Sequence, residues 1–152
     1  MSRDSTTVKP EGFFTIQQMA ARSGLSEYTL RYYEKIGLIE PIPRDESSGH
    51  RRYSEATAQR VEVLACLHGS GLSLDDLRRY LRLRERGDES AAELIALFAA
   101  HAERVAEEIH QLQIRHRYLS GKITYWDARL QGDLQRADQI AEENQRIAQE
   151  LR

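Results

Sequence analysis

Two arginine-bearing stretches and one thiol hold most of the chemistry available to this chain. Residues 26–38 read SEYTLRYYEKIGL, in which Leu30, Tyr33 and Ile36 recur at a spacing of three and leave Tyr28, Thr29, Arg31, Tyr32 and Lys35 for the other faces. Guanidinium and ammonium groups hold phosphates, and a guanidinium also reads a guanine edge through paired hydrogen bonds. Residues 49–53 read GHRRY, a cationic run that ends in an aromatic ring. Cys66 is the one cysteine. No Ser/His/Asp set, phosphate-cradling glycine loop or carboxylate pair points to catalysis, so an enzyme is not expected. One thiol, even doubled in a dimer, is a poor soft-metal site, and no metal or cofactor is implied.

The elements that must position these groups are helices with local start signals. Thr15 and Gln18 have the spacing of a capping box, with Ile16, Met19 and Ala20 facing inward. Gly24 supplies the turn, and Ser26 caps the next helix. Two short helices joined through a glycine turn make a helix-turn-helix. Taken alone, the second helix also fits an ordinary amphipathic helix with a solvated basic side. Pro41 and Pro43 then exclude a helix interior, and residues 45–49 are a turn cluster. Residues 39–43 and 50–53 are therefore expected to form the arms of a short hairpin, a wing. A charged edge strand fits the same residues. Ser54 and Ser73 cap two further helices, and Ser90 with Glu93 has the spacing of another capping box.

A single long helix follows. Leu94, Phe98, His101, Val105, Ile109, Leu112, His116, Leu119, Ile123, Trp126 and Leu130 recur in steps of three and four, a heptad seam with one stutter. Roughly forty residues at 1.5 Å each make a rod of about 60 Å. A rod of that length needs a partner helix, most simply its own copy. His101 and His116 read first as polar seam residues that fix register, and second as ligands. After Gly132, Leu134, Ala137, Ala141, Ala148 and Leu151 suggest a second, fraying helix.

The chain of 152 residues has a net charge of −2. Residues 13–86 hold 12 Lys/Arg against 10 Asp/Glu, whereas residues 87–152 hold 8 against 12. A polyanion would therefore meet the front half. No apolar run approaches the ~20 residues that span a bilayer. The N-terminus has no apolar signal segment, and a lone cysteine suits a reducing, cytoplasmic setting. The expected organisation is a polar tail over 1–12, a DNA-binding domain over 13–87, a dimerisation helix over 88–130 and a helical tail over 131–152.

The order T-I-Q-Q-M-A, G-L-S-x-x-T-L-R-Y-Y-E-K-I-G-L-I and R-x-x-x-x-G-H-R-R-Y, followed by two helices and a long one, resembles the MerR family of bacterial transcription regulators. The resemblance covers about residues 14–130. It implies a mainly α fold, with a winged helix-turn-helix head and an antiparallel coiled-coil dimer. It implies that Arg31 and Tyr32 face DNA from the recognition helix, with Thr15, Tyr28 and Thr29 in support. Arg44, Arg51 and Tyr53 would come from the wing, with His50 where many relatives have Tyr. Ser26 and Arg52 complete the candidate contacts. Phe98, Val105, Ile109, Leu112, Leu119, Ile123 and Trp126 would form the dimer seam. The resemblance further implies a pseudo-palindromic promoter site that is bent and untwisted for RNA polymerase.

The paired cysteines of metal-sensing relatives do not occur here, and only about twenty residues follow Leu130, where drug-sensing relatives carry a large ligand domain. What remains resembles the branch that responds to aldehydes, electrophiles or nitric oxide, with a single cysteine matching Cys66. Cys66 sits in Val63-Leu64-Ala65-Cys66-Leu67, so a packed core thiol is the competing reading. A regulator with a non-covalent effector, a regulator with no effector at all, and a coiled-coil interaction protein also fit these residues.

Overall fold

The computed structural model describes residues 12–152; apart from Gly12, the polar tail expected at residues 1–12 lies outside them. Helix α1 (Ile16–Ser23) begins at a closed capping box. The Thr15 N–H donates to Gln18 Oε1 at 2.9 Å, and the Gln18 N–H donates to Thr15 Oγ1 at 3.2 Å. Gly24 ends α1 at φ 76°, a left-handed conformation that glycine adopts without a Cβ penalty. Helix α2 (Glu27–Lys35) starts at Ser26, whose hydroxyl accepts the Thr29 N–H at 3.0 Å. Helices α3 (Glu55–Gly69) and α4 (Leu74–Glu85) start at Ser54 and Ser73 in the same manner. These caps follow from residue type alone, because each satisfies a backbone donor that the first helical turn leaves free.

The four helices close over one core. Met19 from α1, Leu30 and Tyr33 from α2, Val61 and Leu64 from α3, and Leu77 from α4 are all essentially inaccessible to water. Arg22 of α1 reaches across to α3, with Nη2 2.8 Å from Glu55 and Nε 2.7 Å from Glu62.

Between α2 and α3 the expected wing is present in reduced form. Among the described residues there is no regular strand, only the antiparallel bridges Phe14–Tyr53 and Arg44–Arg51. The expected first arm over 39–43 is displaced. Leu38, Ile39 and Ile42 are buried in the core, and pairing begins at Pro43, whose carbonyl accepts the Arg52 N–H at 2.8 Å.

A short 3₁₀ turn (Gly87–Ser90) leads into α5 (Ala91–Leu130), a helix of 40 residues. Ser90 does not cap α5 as its spacing with Glu93 suggests. Its buried hydroxyl donates to the Leu83 carbonyl and to Gly87 O, and Glu93 pairs with Arg86 at 3.0 Å. A hydroxyl already committed to the end of α4 has no role at the start of α5. The first compact unit ends at Leu97, a buried residue two turns into α5.

The second unit, residues 98–152, is a helical hairpin. Helix α6 (Leu134–Glu150) is capped by Asp133 and returns antiparallel to α5. Arg117 Nη2 lies 2.6 Å from Glu150, Asn144 Nδ2 donates to the Tyr118 carbonyl at 3.2 Å, and Ile114, Ala128 and Ala137 are buried. The stripe expected as a seam is open in the single chain: Leu112, Leu119, Ile123 and Trp126 are 58–72% exposed. His101 departs from that stripe, since it is 7% exposed and already covered within the chain, whereas His116 is exposed.

Gly121 is where α5 and α6 approach most closely. A Cβ there would lie 2.7 Å from Asn144 Cγ and closer still to its Oδ1. Asn144 is buried and held by Tyr118, so it cannot swing aside freely. Gly121→Ala is expected to destabilise the hairpin by about 1–3 kcal/mol, the usual cost of overpacking, in urea or thermal unfolding. Adding Asn144→Ala should restore part of that loss; a single variant as stable as the parent would place α6 elsewhere.

Candidate nucleic-acid interface

The geometry of α2 follows from which of its residues are anchored. Leu30 and Tyr33 are buried, so Tyr28 (77% exposed), Arg31, Tyr32 and Lys35 are left on the outer side. Arg31 Nη2 lies 3.4 Å from Glu27 one turn back. An exposed pair of this kind is weak and yields readily to a phosphate. The hydroxyls of Ser26 and Thr29 lie 2.9 Å apart at the helix start. Both therefore serve the cap, and Thr15 does the same for α1.

The wing is fixed by its own polar groups. Asp45 Oδ1 accepts the Ser47 and Ser48 N–H groups at 2.9 and 3.0 Å, together with the Ser47 hydroxyl. The Ser47 hydroxyl bond and then the two backbone donors pull the Asp45 carboxyl down from 3.8 to about 2. A depressed carboxylate contributes stability that is present above its unfolded value and is lost as pH falls toward about 2. The turn is thus intact throughout the neutral range. Arg44 Nη1 donates to the Gly49 carbonyl at 3.0 Å, which spans the same turn. Arg52 stacks on the Phe13 ring at 4.0 Å and lies 3.7 Å from Asp45.

Wing and recognition helix are joined by Glu34. Its Oε2 accepts Arg51 Nε at 2.9 Å, and its Oε1 accepts the Ile42 N–H at 3.2 Å. Both charged side chains of this pair are about four-fifths covered.

Thr15, Arg31, Arg44, His50 and Arg51 line one cleft of about 410 Å³, with Gln17 and Glu27 among its other walls. Three guanidiniums and an imidazole face a single carboxylate there. The N-terminal end of α1 adds its partial positive charge. The structure thus assembles five of the expected contact residues from α1, α2 and the wing. Tyr28 and Tyr32 are exposed on α2 outside this cleft.

Tyr53 is corrected. It is fully buried, its hydroxyl has no hydrogen-bond partner, and burial pushes its phenol up from its ordinary value. Its bridge to Phe14 holds it over the core, where it cannot touch a ligand. Cys66 is exposed on α3, which corrects the reading of a packed core thiol. Sequence reasoning missed Gln17, whose neighbours were read only for their inward face. It also missed Glu34, whose partners lie across a turn. Among the described residues no helix is long and apolar enough to cross a membrane, and no group of three or more His, Cys, Asp or Glu is gathered as a metal site.

Comparison with known proteins agrees with this arrangement. Residues 14–83 match the model of the MerR HTH family regulatory proteins, and residues 58–121 match that of the MerR DNA-binding region. A Haemophilus influenzae HTH-type transcriptional regulator is 36% identical over 106 residues, which cover 70% of this chain and 76% of that protein. Among solved structures, HiNmlR, a MerR family regulator lacking the sensor domain and bound to promoter DNA, superposes with a TM-score of 0.68 at 31% identity, covering 82% of this chain and 95% of its own. A Listeria monocytogenes regulator described as a MerR family member gives a TM-score of 0.65 at 28% identity, covering 86% and 98%. A capped helix-turn-helix, a wing braced against it and a long following helix therefore have one reading: the chain belongs to the MerR family of DNA-binding transcription regulators.

Proposed function

We propose that this regulator works as a homodimer on a pseudo-palindromic promoter operator. In this reading α2 enters the major groove of each half-site and the wing grips the flanking backbone. The observation that carries the reading is the convergence of Arg31, Arg44 and Arg51 on one cleft beside the α1 N-terminus. Arg31 reads bases, because it is exposed and its Glu27 contact is easily surrendered. Arg44, His50 and Arg52 meet phosphates, while Arg51 chiefly braces the wing. The dimer forms through the open stripe of α5, within the dimerisation segment 88–130. Smooth bending of such a site costs about 1–6 kcal/mol, offset by wing and helix contacts. Bending and untwisting bring the promoter elements into line for RNA polymerase.

The exposure of Cys66 favours a covalent effector. A thiol at the surface of α3 can meet an aldehyde, another electrophile or a nitric oxide donor, whereas a buried one cannot. An adduct there would alter the surface that α3 presents, and so bias the distorting state of the head.

The experiments separate these parts. Replacing Leu112 and Leu119 together with Asp puts carboxylates into the stripe, at a cost of several kcal/mol if it is dry in the dimer. Sedimentation is expected to give monomer with greatly weakened operator binding; a stable dimer would remove the stripe from the interface.

In operator titrations across a range of salt, Arg31→Ala should cost about 1–3 kcal/mol and relax base preference. Arg44→Ala should weaken all sequences alike and lower the salt slope by about one. A uniform loss from both would make Arg31 a phosphate clamp.

Cys66→Ser should keep operator binding but lose transcriptional activation by methylglyoxal or a nitric oxide donor. A normal response from Cys66→Ala would move the effector elsewhere.

A further inference from the structure

We infer that the cavity between α5 and α6 is a binding site for a small aromatic carboxylate. It has a volume of about 380 Å³ and lies wholly within the helical hairpin. That places it in the lower part of the range for small-molecule sites, roughly 300–1,000 Å³. Its walls combine the Tyr118, Tyr125 and Trp126 rings with the Lys122 ammonium and the Asn144 and Gln145 carboxamides. Tyr125 and Trp126 stand edge to face, with centroids 5.2 Å apart and planes at 84°. This gives a flat guest both a ring face and a ring edge to pack against.

The charge of the cavity selects the guest further. Lys122 Nζ sits 5.5 Å from the Tyr118 ring. It has no carboxylate partner among the described residues, and no Asp or Glu lines the cavity. An ammonium beside apolar rings and without a counter-ion favours an anion, and a carboxylate accepts its charge-assisted hydrogen bonds. Gln145 offers a further donor at the same wall. The walls are held by the feature that makes α5 and α6 pack closely. Gly121 has no Cβ, so Asn144 lodges against it and donates to the Tyr118 carbonyl at 3.2 Å. Aromatic rings and one cation thus converge on one groove of the hairpin, which is the arrangement a planar aromatic acid requires. Every residue it uses belongs to the second unit, and Trp126 also lies on the α5 stripe proposed for the dimer, so the cavity is tested on the full chain.

The experiment uses the full chain and 2-naphthoate as the probe, with 2-naphthamide as its neutral counterpart. Trp126 is the only tryptophan of the sequence, so its emission reports the cavity and the stripe beside it. Calorimetry is expected to give saturable binding of one naphthoate per chain, with a parallel change in Trp126 emission. Lys122→Met should weaken naphthoate by about tenfold or more, leave naphthamide within about twofold, and keep the parent circular dichroism. Lys122→Arg should retain naphthoate binding. Equal binding of acid and amide, or no effect of Lys122→Met, would overturn the assignment. So would no binding up to the solubility limit. In that last case, Trp126 shielded from acrylamide in the parent and exposed in the Leu112→Asp/Leu119→Asp chain would make the cavity part of the contact between two copies.

Discussion

The head depends on one carboxylate. Glu34 stands near the end of α2 and accepts both a guanidinium Nε from the wing and the backbone N–H of Ile42. A recognition helix by itself has no fixed relation to a two-residue ribbon bridge, because a single bridge offers few ladder hydrogen bonds. Glu34 supplies the missing constraint with two bonds, one of them charge-assisted and largely shielded from water. The chain leaving α2 turns at Gly37, and the Glu34 bond to the Ile42 N–H then ties down the segment that buries Leu38, Ile39 and Ile42. The cationic cleft is the outer surface of the same arrangement. Loss of the carboxylate would leave Arg51 partly covered and unpaired, which costs more than the pair itself contributes.

What was legible in the sequence was local. Ser26, Ser54 and Ser73 cap helices because a hydroxyl at a helix start has one nearby backbone donor to satisfy, and distant contacts do not alter that. The buried face of α2 was equally plain, since Leu30 and Tyr33 share a helical period. Tyr53 and Ser90 were misassigned for the opposite reason. Their places are fixed by partners that the local sequence does not reveal: the backbone bridge to Phe14 for Tyr53, and the end of α4 for Ser90; Arg51 likewise gains a partner across the turn in Glu34. A motif such as GHRRY places arginine and tyrosine side by side on paper. The pairing of Tyr53 with Phe14 then turns the tyrosine into the core and leaves Arg52 outside.

The long helix was legible in period and not in depth. Steps of three and four mark an apolar stripe through Leu112, Leu119, Ile123 and Trp126, and these residues lie open in the single chain. They gave no hint that α6 would return along another face, because Ile114, Ala128 and Gly121 are too small or too few to mark a second stripe. They also placed His101 with the open residues. A heptad pattern records which residues share a face; how deeply each is covered depends on what else packs nearby.

The joint at Ser90 has a consequence for how the molecule answers its surroundings. The hydroxyl bonds two carbonyls at the end of α4 and the following turn, and it is fully buried. Neither donor nor acceptor carries charge or titrates in the physiological range, and the Ser90 hydroxyl is out of reach of water and ions. The guanidiniums of the cleft, by contrast, attract a polyanion through charge, and that attraction fades as mobile ions accumulate. The chain therefore separates two sensitivities. Ionic strength tunes how tightly the head holds its ligand, while the corner from which α5 departs keeps its shape through the same change.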